Sequence, residues 1–197
     1  MTLYRAVQKA NFDPSKGIEV LPTRRMPSNI PYLVDNIWEW LRPQFAPSRR
    51  HAIYASPTPE LALANASAVG SDPRDYVVCE LLDVPVNARL SHLKVTDARY
   101  HADVGNLMRR VAKAQGPAFA SLPIMQKIGH APLYMPGTTQ QELHQYFVST
   151  PAAQALAQEL RDVSTFWQDS DPVPQKHEGE MFFELPPYTT YYLRPIA

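Results

Sequence analysis

The sequence predicts an α+β fold, with strands near both chain ends and helices grouped between them. Short apolar runs that indicate strands occur near the N-terminus and again after residue 180. Apolar residues recur at helical spacing through the middle of the chain. The chain has 20 prolines against 7 glycines, a ratio that favours short elements joined by stiff connections. These patterns together are typical of α+β domains.

Length and composition indicate one globular domain that covers residues 1–197. A chain of 197 residues with 45% hydrophobic and 19% charged residues can bury a core and is not disordered. Lys+Arg and Asp+Glu both total 19, so the chain as a whole lacks a basic nucleic-acid footprint. No apolar run approaches the roughly 18 residues of a membrane-spanning helix, and the first residues do not resemble a secretory signal. We therefore expect a cytoplasmic protein with no membrane partner.

The elements of the first half follow from apolar runs and helix caps. The chain reads as loop from Phe12 to Arg25. Strands are predicted over Leu3–Ala6, Arg49–Ala55, Asp75–Asp83 (a continuous apolar run, hence central) and Val86–Val95, with a turn at Asn87-Ala88. Helices are predicted over Ile30–Leu41, which opens after Ser28-Asn29, and over Pro59–Ala68, with Thr58 as its cap.

The second half begins with helices and returns to strands. The helices are Asp103–Gln115, with Val104, Leu107, Met108 and Val111 on one side, a helix capped by Thr138-Thr139 that includes Leu143, Tyr146 and Phe147, and Ala152–Trp167 after Thr150-Pro151. The strands are Glu180–Leu185 and Thr189–Arg194, separated by a Pro-Pro turn. We expect Tyr188, Tyr191 and Tyr192 to divide between core and rim.

Two carboxylates stand two residues apart before the aromatic run near the C-terminus, at Glu178 and Glu180. A carboxylate beneath an anomeric carbon stabilises the oxocarbenium-like state through which a glycosidic bond breaks. Cleavage of nicotinamide from NAD is such a reaction, and its cationic leaving group needs no acid. Residues two apart on an extended chain point to the same face. Glu180 would then contact the ribose, while Glu178 would orient or deprotonate the incoming nucleophile.

The pyrophosphate of NAD calls for an arginine, because a guanidinium offers planar paired donors. Arg5 on the first predicted strand could fill this role if its side chain points into a cleft. Ser56 would supply a hydroxyl that positions Glu180, and Tyr54 could stack on the nicotinamide ring. The chain has no Gly-x-Gly-x-x-Gly, so a dinucleotide site of the Rossmann type is not supported.

Three motifs in chain order resemble the signatures of ADP-ribosyltransferases of the Arg-Ser-Glu type. They are Tyr4-Arg5, Ser56-Pro57-Thr58, and Glu178-Gly179-Glu180 followed by an apolar strand and Pro186-Pro187-Tyr188. The resemblance implies a split antiparallel β-sheet core with flanking helices. It also implies that Arg5, Ser56, Glu178 and Glu180 are catalytic. NAD as substrate would be held by Arg5, Tyr4, Tyr54, Ser56, Thr58 and Glu180.

The same resemblance implies mono-ADP-ribosylation of a macromolecular acceptor, a protein or a nucleic acid. A chain this short and without regulatory domains resembles a bacterial toxin or toxin-antitoxin effector, which would have an antitoxin or immunity protein as partner. The Glu-x-Glu spacing goes with arginine-directed transfer in the family. The segment between Glu180 and Pro186 is about two residues longer than the family pattern, so Glu184 is an alternative catalytic carboxylate.

Three other readings stay open. The segment from His51 to Ala62 also resembles the RES toxins, which degrade NAD with water as acceptor, and the His-Tyr type of the rifamycin ADP-ribosyltransferases. In both of these Tyr54 would replace Ser56 as the second key residue, although Arg5 in place of His argues against the His-Tyr type. A protein that keeps the fold but only binds a partner is the alternative outside enzymes.

Several other residues are interpreted as structural. Cys79, the single cysteine, lies in an apolar run and reads as a small buried thiol. The 6 histidines show no metal-ligand spacing, so no metal is expected. The basic pairs read as solvated surface residues, namely Arg24-Arg25, Arg49-Arg50 and Arg109-Arg110.

Overall fold

The computed structural model describes residues 2–22, 27, 29–67, 71–85 and 88–196. The chain divides into two compact units, each built from segments that are distant in sequence. Unit 1 comprises Met1–Thr23, Phe45–Ala98 and Ser170–Ala197, and unit 2 comprises Arg24–Gln44 and Arg99–Asp169. The α+β class is confirmed, because the described strands belong to unit 1 and most of the described helices to unit 2. The single domain over 1–197 stays a prediction.

Unit 1 contains two four-stranded sheets. Its strands are β1 Tyr4–Gln8, β2 Ile18–Glu19, β3 Ile53–Ala55, β4 Tyr76–Leu82, β5 Arg89–Leu93, β6 Ser170–Asp171, β7 Met181–Glu184 and β8 Thr190–Pro195. The first sheet has the order β1-β4-β8-β2 and the second β3-β7-β5-β6, with antiparallel pairing throughout. The internal position of β4 confirms the prediction made from its continuous apolar run.

One core cluster draws buried residues from both sheets of unit 1. It includes Cys79 and Tyr191 from the first sheet, Leu3 just before β1, and Ile53 and Phe183 from the second sheet. Cys79 is fully buried, as predicted, and desolvation raises the pKa of its thiol. Tyr191 is 4% exposed, against 69% for Tyr188 and 44% for Tyr192, so the predicted division into core and rim is confirmed.

The two sheets meet at an isolated antiparallel bridge between Tyr4 and Ser56. Tyr4 N donates to Ser56 O at 2.9 Å, and Ser56 N donates to Tyr4 O at 2.8 Å. This bridge connects the start of β1 to the residue that follows β3. Two of the predicted motifs therefore adjoin through their backbones.

Two strand predictions need correction. The strand predicted from Arg49 begins only at Ile53, because the chain turns at 49–51 with His51 N donating to Ser48 O at 3.1 Å. The predicted loop from Phe12 to Arg25 contains β2, which forms because Ile18 pairs with Tyr191 of β8. The turn predicted at Asn87-Ala88 and the basic pair Arg24-Arg25 involve residues outside the described part of the chain.

The helices, in chain order, are α1 Tyr32–Trp40, α2 Pro59–Ser67, α3 Asp103–Ser121, α4 Ile124–Ile128, α5 Ala131–Tyr134, α6 Gln140–Val148 and α7 Pro151–Val163. Of these α-helices in the described part of the chain, α2 belongs to unit 1 and the others to unit 2. The predicted caps of α2, α6 and α7 are confirmed, whereas α1 begins after Pro31, which makes no side-chain cap hydrogen bond. Thr58 Oγ1 accepts from Leu61 N at 3.2 Å, Thr139 forms a capping box with Glu142, and Thr150 caps α7.

Unit 2 departs from the predictions at one helix end and on one helix face. The first part of α3 ends at Gln115 as predicted, because Gly116, with φ of 51° and ψ of −163°, is not helical and kinks the chain before a second helical stretch that ends at Ser121. The helix α7 ends at Val163 instead of Trp167, because the residues that follow turn towards Asp103. Met108 was predicted on the apolar side of α3 and is 44% exposed.

Candidate active site

The register between β3 and β7 brings Ser56 and Glu180 to the same place. Ala55 pairs with Met181 at the end of this ladder. The ladder ends at this pair; the same register extended by one residue would set Ser56 opposite Glu180, and directly opposed residues share one face of a sheet. Ala55 and Met181 belong to the core cluster, so Ser56 and Glu180 lie on the other face of this sheet.

The Glu180 carboxylate is buried and held by specific partners. The residue is 8% exposed. Its Oε2 accepts a hydrogen bond from Ala98 N at 3.0 Å and lies 3.8 Å from Arg49 Nη1. Its backbone is fixed as well, since Glu180 N donates to Val95 O at 2.8 Å and Leu93 N donates to Glu180 O at 2.9 Å. A carboxylate fixed in this way is preorganised to face a developing positive charge.

Arg49 is the cation at this carboxylate, and its burial corrects the prediction for the Arg49-Arg50 pair. The two residues are 7% and 4% exposed, so neither is a solvated surface arginine. The Arg49 guanidinium carbon lies 5.3 Å from the ring centre of Tyr54 and 5.5 Å from that of Phe182. Tyr54 also donates from its hydroxyl to Arg49 O at 2.9 Å. Two aromatic rings thus hold the arginine beside Glu180 by cation–π contact.

Ser56 and Thr58 are tied to α2. Ser56 is 3% exposed, and its Oγ accepts from Asn65 Nδ2 of α2 at 3.5 Å. The same Asn65 amide donates to Thr96 O at 3.0 Å. Asn65 thereby links the serine to the loop after β5, which supplies Ala98 to Glu180. Thr58 acts as the helix cap described above.

Arg5 is near these residues in the backbone, but its side chain takes another direction. It follows Tyr4, which bridges to Ser56. Arg5 Nη1 donates to the Tyr191 hydroxyl at 2.8 Å, and Tyr191 belongs to the core cluster. Period-two alternation sets Arg5 on the same face of β1 as Leu3, also a core residue. The structure therefore places Tyr54 and Glu180 beside Arg49, with Ser56 next to the last pair of the β3–β7 ladder, and directs Arg5 to the core side of the first sheet.

The three candidate carboxylates occupy distinct environments. Glu178 is exposed, whereas Glu180 is buried. Glu184 is half-buried at the far end of β7, where its Oε2 accepts from Ser48 N at 3.2 Å and lies 3.8 Å from Arg89 Nη1. Four residues along a strand span about 13 Å, so Glu184 is remote from the end of β7 that faces Ser56. This arrangement favours Glu180 over Glu184 as the essential carboxylate.

The backbone before Glu180 is held by two stacked histidines. The rings of His92 and His177 lie 3.9 Å apart at 23°. His92 Nε2 lies 3.1 Å from Gly179 O, and His177 Nδ1 accepts from Gly179 N at 3.1 Å. A Cβ at position 179 would lie 1.5 Å from Leu93 O. Only glycine fits so close to the neighbouring strand. The steric limit explains why the middle residue of the Glu-x-Glu motif is glycine in this chain.

Burial of His92 gives a prediction about pH and stability. Desolvation, followed by the neighbouring His177, lowers the pKa of His92 from its ordinary value of 6.5. The folded state therefore binds this proton less readily than the unfolded state. The contribution of neutral His92 to the free energy of unfolding is fully present above pH 6.5 and is lost progressively as the pH falls below that value. We expect urea unfolding to show a smaller loss of stability between pH 7.5 and 5 in His92→Gln than in the wild type. The exposed His144→Gln is the matched control and should follow the wild type, and equal pH dependence in all three would contradict the assignment.

The part of the chain that the structure describes holds no group of three or more His, Cys, Asp or Glu side chains arranged to bind a metal ion. Among the described helices, none has the length and apolar character needed to cross a membrane. Comparison of the chain with protein-family models, with curated proteins and with solved structures gave no match.

Sequence reasoning missed four contributors to this site, namely Arg49, Ala98, His92 and His177. Arg49 carried a signal in its position just before the β3 motif, but a pair of arginines is normally a surface feature. The histidines carried no signal, because their contact depends on the pairing of β5 with β7. The amide of Ala98 could not be found from sequence, since any residue supplies one.

Proposed function

We propose that this protein is a mono-ADP-ribosyltransferase, which cleaves NAD and transfers ADP-ribose to a protein or nucleic acid. The observation that supports it best is the β3–β7 ladder, whose last pair, Ala55 and Met181, adjoins Ser56 and Glu180, a buried carboxylate held by Ala98 and Arg49. Ser56 and Glu180 are the pair of residues that the Arg-Ser-Glu resemblance implies. The split antiparallel sheet of that family is likewise part of the proposal, for which two antiparallel sheets joined at Tyr4 and Ser56 give support.

In the proposed reaction, the bond between the ribose C1′ and the nicotinamide nitrogen breaks, and nicotinamide leaves with the bonding electron pair. Glu180 stabilises the positive charge that develops on the ribose. A nucleophile on the acceptor then attacks C1′ and gives up its proton. The exposed Glu178 suits this second step, because a macromolecular acceptor can approach an exposed carboxylate but not a buried one.

Arg5 is proposed to bind the pyrophosphate. Its partner is the hydroxyl of Tyr191, and among the described residues Arg5 forms no ion pair. The guanidinium charge is therefore not neutralised by a carboxylate and can attract a phosphate. To reach an NAD whose ribose lies at Glu180, the Arg5 side chain would have to leave Tyr191 and turn away from the core side of the first sheet. Tyr4 and Thr58 would complete the NAD site through the strand end and the helix start on which they lie. An antitoxin or immunity protein stays a prediction.

The proposal is tested by incubating the purified protein with NAD and cell lysate, followed by mass spectrometry. We expect free nicotinamide and ADP-ribose adducts on lysate macromolecules. Glu178→Gln should keep NAD hydrolysis within about threefold while reducing adduct formation about tenfold or more, since general-base assistance contributes at least this much. Gln145→Glu changes the charge of an exposed residue in unit 2 and serves as the control. It should change neither the release of nicotinamide nor the formation of adducts.

The possible outcomes separate the alternatives. Free ADP-ribose without adducts would favour a glycohydrolase of the RES kind, in which water is the acceptor. Protein that releases no nicotinamide, with or without lysate, would favour a binding protein on the same fold and overturn the proposal. Equal loss of hydrolysis and transfer in Glu178→Gln would contradict the division of roles between Glu178 and Glu180.

A further inference from the structure

The stacked histidine pair beside Gly179 has assignable protonation states. His92 Nδ1 accepts from Gln175 N at 2.8 Å, so this nitrogen carries no proton. A neutral ring must then be protonated on Nε2, which donates to Gly179 O at 3.1 Å. His177 Nδ1 accepts from Gly179 N and is unprotonated as well. Both imidazoles are therefore neutral in this arrangement, with their protons on Nε2.

The pair binds the two peptide groups that flank Gly179. The N–H of one peptide bonds to His177, and the C=O of the next, which is the peptide that leads into Glu180, bonds to His92. Ring stacking at 3.9 Å fixes the two imidazoles relative to each other. With Val95 and Leu93 bonded to the Glu180 backbone, the main chain is held on both sides of the carboxylate.

His177 buries a polar nitrogen, which an apolar packing residue would not do. Its Nε2 is buried and has no hydrogen-bond partner among the described residues. Buried polar atoms without a partner are rare in native proteins. A phenylalanine would stack on His92 without this cost, but it would leave the N–H of Gly179 without an acceptor. The choice of histidine thus favours a role at Gly179 over simple packing.

On the premise of the function proposed above, we propose that His92 and His177 are positioning residues for Glu180, which hold the Gly179 peptides as a stacked pair of neutral rings. A carboxylate displaced by about 1 Å can lose roughly a hundredfold in rate. A proton gained on Nδ1 of His92 removes the acceptor of the hydrogen bond from Gln175 N and makes that ring cationic. The charged group facing His92 from β6 is Asp171, and Lys176 and Glu178 flank His177 in the chain. The hydrogen bonds of the two histidines to the Gly179 peptides should therefore weaken in acid.

Two substitutions at His177 separate the effect of ring stacking from that of the hydrogen-bond acceptor Nδ1. His177→Phe keeps a ring for stacking but loses the acceptor. His177→Asn loses the ring but keeps an acceptor near the position of Nδ1, and this acceptor does not titrate. Exchange of the Gly179 amide hydrogen, followed by NMR, reports on the hydrogen bond from Gly179 N to His177 independently of activity. The kcat and KM for NAD between pH 5 and 8 report on the position of Glu180.

We expect Gly179 exchange about fivefold faster or more in His177→Phe, with kcat reduced roughly 10- to 100-fold and KM for NAD within about twofold. His177→Asn should restore both values to within about threefold of the wild type. Wild-type exchange and kcat in His177→Phe would overturn the positioning role. Wild-type protein that releases no nicotinamide would overturn the proposed function instead, so the two failures are distinguishable.

Discussion

Replacement of Glu180 by glutamine is expected to abolish NAD cleavage, with a loss of roughly 10²–10³ in rate. Glutamine is nearly isosteric and can still accept a hydrogen bond from Ala98 N, so the local geometry is preserved. It carries no negative charge, however, and cannot stabilise the positive charge that forms on the ribose. The measurement is nicotinamide release at saturating NAD. Because the change falls on kcat, KM for NAD should stay within a few-fold of the wild type.

The matched control is Glu184→Gln, which removes a charge from the same face of the same strand. Glu184 contacts Arg89 and the backbone of Ser48, so its loss should cost little stability and less than about threefold in rate. The Glu180 variant leaves the buried Arg49 near a neutral side chain, and its unfolding midpoint must be recorded to show that the protein is folded. A reversed outcome, with Glu184→Gln inactive and Glu180→Gln active, would show that the alternative register of the motif is correct.

The parts of the fold that could be predicted from sequence are those with local causes. Thr139 and Thr150 mark the starts of α6 and α7 because a capping side chain bonds to a backbone amide three residues away. The strands β2 and β6 are two residues long and exist only through partners elsewhere in the chain, as Ile18 does through Tyr191. Nothing local distinguishes such a segment from a loop.

In the candidate site, too, the sequence indicates features with local causes but not those that depend on distant partners. Glu180 and Ser56 could be proposed because their motifs stand in a characteristic order, and the pairing of β3 with β7 ends at the residues next to them, Met181 and Ala55. The side-chain direction of Arg5 could not be predicted, because it depends on the distant hydroxyl of Tyr191. The burial of Arg49 was equally hidden, since the rings of Tyr54 and Phe182 come together only when β3 pairs with β7.

Asp103 illustrates a further limit, within unit 2. The sequence identified it as the start of a helix, and it is the first residue of α3. In the folded chain it is fully buried, with its Oδ2 accepting hydrogen bonds from Trp38 Nε1 at 3.0 Å, Ser164 Oγ at 2.6 Å and Phe166 N at 3.2 Å. Its Oδ1 accepts from Thr165 N at 3.1 Å. One carboxylate therefore joins α1, the start of α3 and the chain after α7.

The Asp103→Asn variant is expected to lose about 3–5 kcal/mol of unfolding free energy, the typical cost of breaking a buried charged network. In either orientation the amide group would present N–H to partners that are themselves donors, and at least one of them would stay buried without an acceptor. Urea unfolding provides the measurement, and loss of the stack between Trp38 and Phe166, whose rings lie 4.0 Å apart, should change the tryptophan fluorescence of the folded state. Asp162→Asn, at an exposed position in α7, makes the same chemical change at the surface and should alter stability by no more than about 0.5 kcal/mol. If the two variants were equally stable, the hydrogen bonds to Asp103 would contribute no net stability, and α1 and the chain after α7 would be joined by other contacts, such as the Trp38–Phe166 stack and the hydrogen bond from Trp167 Nε1 to Trp38 O.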